Sequence, residues 1–598
     1  MHSFNDIMKC RIRWYGFFLI VFFCYLAGRL FWVQIKLHDK LYEEARAKYI
    51  TSKEVKGTRG QVFDQLGNLL IGNMPCQDVT ITPCNIKPEN DSKISRIIAR
   101  TLDLDYKEVL KKVSNKTRQV KQTDGTTKTE PRKYAQITRN VPLIKARKLK
   151  EILQKHLLAR DVHFHDTFIR YYPKGELLSN VLGITTMSHD KIQAVMGVEK
   201  VFNSRLKSDS GKITYERRRD GKRLGSDPIK EERSHNGYNL YLTIQEPLQS
   251  ILEEELDKAC TKWNPQAVYA IMADPSTGNV LAMAQRPSFN PNERTSKDQS
   301  VYRIRVIGDV FEPGSIMKPL CVAGALDYGT VTPETKIDCE QQIWFFRGKK
   351  LSDTHAYGMQ DVTGVIRKSS NIGTAKIAIA MGENKLYRTL RKFGLGSHCG
   401  LPLTPEERGS LKPPKHWDGL SISRFGIGYG VSITPVQMLR AYCALANRGK
   451  LPKLRLLDRI ENQETGEIIT NPIEAPQNIY ASPATGENIV KMMITVTEQG
   501  GTATKAAIPG YHVAGKTGTA RKYERGGYST SKYYASFVGF VPAEKPAFVL
   551  LLTFDTPRGS IYGGTVAGPV WKAIAERTLK YMNIPPTMPL PEKNKSAR

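Results

Sequence analysis

The sequence predicts an α+β protein: one N-terminal transmembrane helix, an extended mixed first body, and a second body built on a central antiparallel sheet flanked by helices. Three observations carry that expectation. An uncharged apolar run opens at Trp14. Strand-like segments stand at both ends of residues 238–582 and enclose a helix-rich middle. The composition, 40% hydrophobic and 25% charged, is that of a globular chain. With 598 residues there is length for two or three domains and at least one large core.

Residues 14–28 carry no charge, Arg29 interrupts, and Leu30, Phe31, Trp32 and Val33 extend the apolar face. That is just enough to span a hydrocarbon layer of about 30 Å. Lys9, Arg11 and Arg13 precede the run, so residues 1–13 are expected in the cytoplasm, 14–36 in the membrane, and the body from 37 onward outside it. No small-residue cleavage site follows, which favours an uncleaved anchor over a signal peptide.

Residues 41–47 are helix-like, and residues 57–70 read as a hairpin around a Gly67-Asn68 turn. Helical patterns alternate with polar linkers over 91–156, and the Lys/Thr/Gln-rich stretch 113–132 reads as a mobile loop. Residues 171–173 and 181–184 read as short strands, and 211–237 as a basic connection. No catalytic cluster is found in this body, which marks it as a spacer or docking domain over 37–237. After Gly237 the pattern changes. Residues 238–244 form a strand, 246–259 a helix with Pro247 in its first turn, and 267–284 a hairpin around residues 274–279. Near the end, 535–541 and 547–554 are apolar strands, 567–579 is a helix, and 583–598 is a disordered Pro/Lys-rich tail.

The formal net charge of +31 points to an acidic partner or to a solvated basic surface, densest at residues 217–223. No zinc-finger, RNA-binding or basic-heptad pattern accompanies it, so nucleic acid is not expected. The nine cysteines have no metal-ligand spacing; Cys76 and Cys84 are close enough for a small disulfide loop, with free thiols equally open. Neither metal nor cofactor is expected.

Chemistry is concentrated in three short elements. Pro313-Gly314 reads as a turn, after which Ser315 and Lys318 share one face of a starting helix. Ser-x-x-Lys alone is weak, since Ser204 with Lys207 and Ser529 with Lys532 repeat it. Lys368-Ser369-Ser370-Asn371 and the single Lys516-Thr517-Gly518-Thr519 then follow in order. Acyl transfer from a peptide needs a nucleophile, a proton shuttle, an oxyanion site and a grip on substrate. Ser315 suits the nucleophile and Lys318 its base, once burial lowers the lysine pKa. Ser369 can pass a proton to the leaving amine, and Asn371 can bond the substrate amide. Lys516, Thr517 and Thr519 suit a carboxylate, and Gly518 allows close approach to the strand. The backbone N–H groups of Ser315 and Thr519 are the expected oxyanion donors.

This ordered trio resembles the penicillin-binding protein and serine β-lactamase superfamily. With residues 59–70, 170–173, 197–199, 274–284, 311–319, 428–435 and 562–564, the chain is most similar to the class B penicillin-binding proteins. The resemblance runs from the anchor to about Met582. It implies an elongated, β-rich pedestal over 37–237 and a penicillin-binding transpeptidase domain over 238–582. It also implies acyl-serine cross-linking of peptidoglycan stem peptides and inhibition by β-lactams. Members of class A carry a glycosyltransferase domain whose acidic motif is not found here, which implies a separate membrane glycosyltransferase partner alongside division proteins. Ser369-Ser370-Asn371 resembles division-type members, where elongation types often have Ser-x-Asp. Ile316 replaces a frequent Thr, and the insertion near Gly125 is a departure. The alternatives are an elongation enzyme, or a non-catalytic penicillin-binding sensor or scaffold. The expected localisation is the inner (cytoplasmic) membrane, single-pass, with the catalytic domain extracytoplasmic.

Overall fold

A computed structural model describes every residue except 1–3, 122–124, 189–190, 218–222, 225–227, 294–297, 525 and 591–598. Much of the expected basic patch at 217–223 and the last part of the 583–598 tail therefore lie outside the described residues. The chain divides into two compact units, residues 1–59 with 207–237, and residues 60–206 with 238–598.

In the first unit the helix Phe4–Phe31 continues as a π-helical turn, Trp32–Lys36. Residues 7–36 are long and apolar enough to cross a membrane, and none of that stretch is buried against protein. A helix follows at His38–Tyr49, then a strand at Ile50–Lys56 that pairs antiparallel with Ser210–Arg217. Part of the stretch read as a basic connection is thus a strand partner, joined by a third short strand at Lys230–Glu232.

The second unit opens with a seven-stranded mixed sheet that crosses residue 237. Its strand Asn239–Leu242 pairs parallel with Val62–Phe63 and antiparallel with Leu457–Glu461. The strand Leu69–Ile81 carries Ala135–Pro142 and Val162–Tyr171 as further partners. Helices Asp91–Leu102, Tyr106–Ser114 and Leu143–Lys155 close a separate core there, with Ile94, Ile98, Leu149 and Leu153 buried. Two expectations are corrected in this lobe. Within the stretch read as a mobile loop, Thr117–Lys121 pairs with Thr127–Pro131 as a polar hairpin. Residues 181–184 are not a strand: Ser179–Leu182 is one buried helical turn. All nine cysteines are free, so no Cys76–Cys84 bridge forms.

The elements of the remainder that position the site are α1 (Glu246–Trp263), β1 (Ala267–Ala273), β2 (Val280–Arg286), α2 (Lys318–Asp327), α3 (Val362–Lys368), α4 (Asn371–Met381), α5 (Pro435–Ala446), β3 (Ala514–Glu524), β4 (Gly527–Val541), β5 (Phe548–Asp555) and α6 (Gly563–Tyr581). The five strands form one antiparallel sheet in the order β2–β1–β5–β4–β3. Every residue of β1 and β5 is buried, so helices cover both faces of the centre and these strands read as unbroken apolar runs. Trp571 of α6 locks one face: its ring meets Phe537 edge-on at 5.1 Å and its indole N–H donates to the Leu550 carbonyl at 2.9 Å. α6 begins at Gly563, earlier than the expected 567, and contains Pro569. β3 is the sheet edge, which leaves one side of its backbone open to an added strand.

Candidate active site

Ser315 lies in a 3₁₀ turn, Gly314–Met317, that runs directly into α2 at Lys318. Side chains three residues apart eclipse in a 3₁₀ turn, so Ser315 and Lys318 share one face more closely than α-helical spacing would place them. Three contacts hold the turn. Gly314 N–H donates to the Gly428 carbonyl at 3.0 Å. Gly428 has φ +83°, and a Cβ there would lie 2.2 Å from the Gly314 carbonyl oxygen, so no side chain fits. From behind, the buried Tyr442 of α5 donates its hydroxyl to the Ile316 carbonyl at 2.9 Å.

The second element sits at the junction of α3 and α4. Ser369 takes the left-handed conformation (φ 59°) that ends α3, and Ser370 caps α4 by accepting from Gly373 N–H at 2.8 Å. This sharp reversal turns Ser369 and Asn371 toward Lys318. The Lys318 amine donates to the Ser369 carbonyl at 2.6 Å and to Asn371 Oδ1 at 2.8 Å, and lies 3.3 Å from Ser369 Oγ. Lys516, on the edge strand β3, donates to the same Ser369 Oγ at 2.8 Å. Two lysines from segments far apart in sequence thus converge on one hydroxyl.

Both lysine side chains are fully buried while Ser315 and Ser369 are half-buried. Burial lowers the Lys318 pKa to about 7, against a smaller opposing pull from Asp353. Burial, and then repulsion from Lys318, push Lys516 well below the ordinary lysine value. A neutral Lys318 has two N–H bonds, enough for its two close acceptors, and a lone pair left to take a proton.

On β3, Thr517 is buried with its hydroxyl 3.0 Å from that of Thr502. Thr519 Oγ1 accepts from Gly563 N–H at 3.2 Å, which leaves its own hydrogen free to donate. Gly518 has a reason that the sequence did not supply. A Cβ there would meet Ile316 Cγ2 at 3.1 Å and the Pro313 carbonyl at 3.3 Å. Its bareness lets the Ser315 turn press against β3.

All eight sequence-predicted residues fall on these three elements. Sequence reasoning missed Asp353, Thr502 and Tyr442, which lie outside any motif. Asp353 accepts from Ser370 Oγ at 2.5 Å, from Asn371 N–H, and from Ile372 N–H at 3.3 Å.

Comparison with known proteins gives two matching family models. Residues 268–576 match the penicillin binding protein transpeptidase domain, and residues 54–242 match the penicillin-binding protein dimerisation domain. The chain is 30% identical over 572 residues to peptidoglycan D,D-transpeptidase FtsI of Escherichia coli (strain K12), covering 95% of this chain and 91% of that one. It is 29% identical to a protein named probable peptidoglycan D,D-transpeptidase PenA from Neisseria gonorrhoeae, covering 96% and 93%. The transpeptidase domain of Burkholderia pseudomallei penicillin-binding protein 3 superposes with a TM-score of 0.52 at 36% identity, over 58% of this chain and 98% of that one. A transpeptidase domain preceded by a dimerisation domain, with near full-length relatives of the same build, makes this chain a member of the class B penicillin-binding proteins.

Proposed function

We propose that the chain is a serine-type peptidoglycan D,D-transpeptidase that cross-links stem peptides during cell division, and that β-lactams inhibit it by acylating Ser315. The observation that carries the assignment is that Lys318, one turn from Ser315, and Lys516 meet at Ser369.

The donor peptide lies along β3 as an added strand, its terminal carboxylate at Lys516, Thr517 and Thr519. Ser315 Oγ attacks the penultimate D-alanyl carbonyl, and its proton passes to the neutral amine of Lys318. The oxyanion is held by the N–H groups of Ser315 and Thr519, each such donor being worth about 3 kcal/mol. Asn371 orients the substrate amide. The C–N bond breaks as Ser369 relays the proton from Lys318 to the departing D-alanine nitrogen. The acceptor amine then attacks the acyl-serine, its proton returns through Lys318 to Ser315 Oγ, and the new amide leaves.

Within this assignment residues 1–13 face the cytoplasm, 14–36 span the inner membrane, 37–237 form the pedestal and 238–582 the extracytoplasmic catalytic domain. The basic residues before the apolar run and the apolarity of residues 7–36 support that orientation. Partners are a membrane glycosyltransferase, which supplies glycan strands, and division proteins; relatives named FtsI support the division role.

A fluorescent penicillin added to the purified protein, followed by denaturing electrophoresis, tests the chemistry. Covalent label is expected on wild type and none on Ser315→Ala. A folded wild-type protein without label removes the acyl-enzyme assignment, and label retained by Ser315→Ala removes the choice of nucleophile. Cross-linking of defined glycan strands together with a glycosyltransferase separates an enzyme from a sensor.

A further inference from the structure

Asp353 belongs to none of the three elements, yet it is 6% exposed; its backbone N–H donates to the Gln342 carbonyl, while its carboxylate accepts from Ser370, Asn371 and Ile372 at the start of α4. It stands directly after the hairpin formed by Ile343–Phe346 and Lys349–Ser352. The last residue of that hairpin contributes too, since the Ser352 carbonyl accepts from Asn371 Nδ2 at 2.9 Å. One carboxylate oxygen takes the Ser370 hydroxyl and the other takes the N–H groups of Asn371 and Ile372, so the carboxylate clamps the first turn of α4 at side chain and backbone together. With its Nδ2 held by Ser352, Asn371 has only its Oδ1 to offer Lys318, and it accepts there at 2.8 Å.

We propose that Asp353 is a positioning residue for the acyl-transfer reaction, fixing Ser369 and Asn371 around Lys318 and acting electrostatically on that amine through them. It rests on Lys318 being the base. Among the described residues, the groups that face Lys318 are Ser369 and Asn371 from the α3–α4 junction, Lys516 from β3, Cys339 and Asp353. Burial pushes the Cys339 thiol up, so it carries no charge near neutrality. Among the described residues that act on Lys318, Asp353 is therefore the group whose negative charge opposes the effect of burial. A carboxylate near an amine favours the ammonium form, so removing the charge moves the titration of Lys318 toward acid.

The test is the rate of acylation by a fluorescent penicillin against pH in wild type, Asp353→Asn and Asp353→Ala, with thermal unfolding recorded for each. The asparagine keeps an acceptor for the Asn371 N–H, and its amide N–H can donate to Ser370 Oγ, so shape is preserved and charge is lost. Expected is a wild-type rate that rises through pH 7. The midpoint should shift to lower pH by roughly half a unit or more in Asp353→Asn. In Asp353→Ala the plateau rate should fall at least roughly tenfold, because the turn is also released. An unmoved midpoint in a folded Asp353→Asn protein overturns the inference. If that variant does not fold, Asp353→Glu carries the test: a midpoint at the wild-type pH with a lowered plateau supports the inference, and an unchanged plateau overturns it. A wild-type profile with no rise near pH 7 instead removes Lys318 as the base, and so separates failure of the mechanism from failure of the Asp353 assignment.

Discussion

Lys318 is held at the junction of opposing demands. Burial without a charged partner in contact disfavours the ammonium ion, while two oxygen acceptors within 2.8 Å keep the amine from becoming unsatisfied. This sets a stability dependence whose sign is determinate. The folded-state pKa of about 7 lies below the ordinary 10.5, so between those values the unfolded chain binds more protons at this site than the folded one. Folding stability contributed by the site therefore rises with pH across that window, and the full penalty is present below pH 7. Compared with Lys318→Met, which cannot titrate, wild type is expected to gain about 1 kcal/mol per pH unit between pH 7 and 10, read from paired denaturant melts. A difference that stays flat with pH would mean the amine titrates as if exposed. Gly518 makes a second residue-scale prediction. In Gly518→Ala the new methyl pushes the Ser315 turn off β3 by a few tenths of an ångström. Penicillin acylation should slow by roughly tenfold while the melting temperature changes little. The sequence pointed to glycine here for substrate approach; which face of the strand the missing Cβ points from is a tertiary fact.

At the scale of elements, α5 supports the Ser315 turn through the Ile316 carbonyl. Its start is sealed by a capping box: Gln437 N–H donates to Thr434 Oγ1 at 3.3 Å, and Thr434 N–H to Gln437 Oε1 at 3.1 Å. The helix is mostly apolar and buried along most of its length, and it delivers Tyr442 to the Ile316 carbonyl. Tyr442→Phe leaves that carbonyl buried without its donor. Destabilisation of about 1–3 kcal/mol is expected in chemical unfolding, with slower labelling of Ser315. The elements that the sequence showed clearly were those with one strong period or an unbroken apolar run: α1, β1, β2, β4 and β5. The elements it hid share a physical reason. The Thr117–Lys121 and Thr127–Pro131 hairpin is almost wholly exposed, so no buried face imposes an alternating pattern on its Thr, Lys and Gln residues. Ser179–Leu182 is a single turn, too short for a period of 3.6 to be told from a strand.

For the whole molecule, the apolar N-terminal helix and the candidate site residues Ser315, Lys318, Ser369, Asn371 and Lys516 lie in separate compact units. Deleting residues 1–36 should move the protein from the membrane fraction to the soluble fraction, with penicillin labelling of Ser315 retained within about twofold; loss of labelling in a folded product would tie the site to the anchor. The large core is continuous from Val62 to Leu579, so strands from both sides of residue 237 stabilise one body. By composition and motif alone, the chain disclosed an apolar segment long enough for a membrane, an α+β transpeptidase body and, as candidates, the residues Ser315, Lys318, Ser369, Asn371 and Lys516 that the fold brings together. These are local properties, carried by residue type and short spacing. The protonation of Lys318, the convergence of both lysines on Ser369, the clamp at Asp353 and the direction of Gly518 were decided only by the tertiary structure. Each depends on burial and on contacts between segments tens to hundreds of residues apart, which no local pattern encodes.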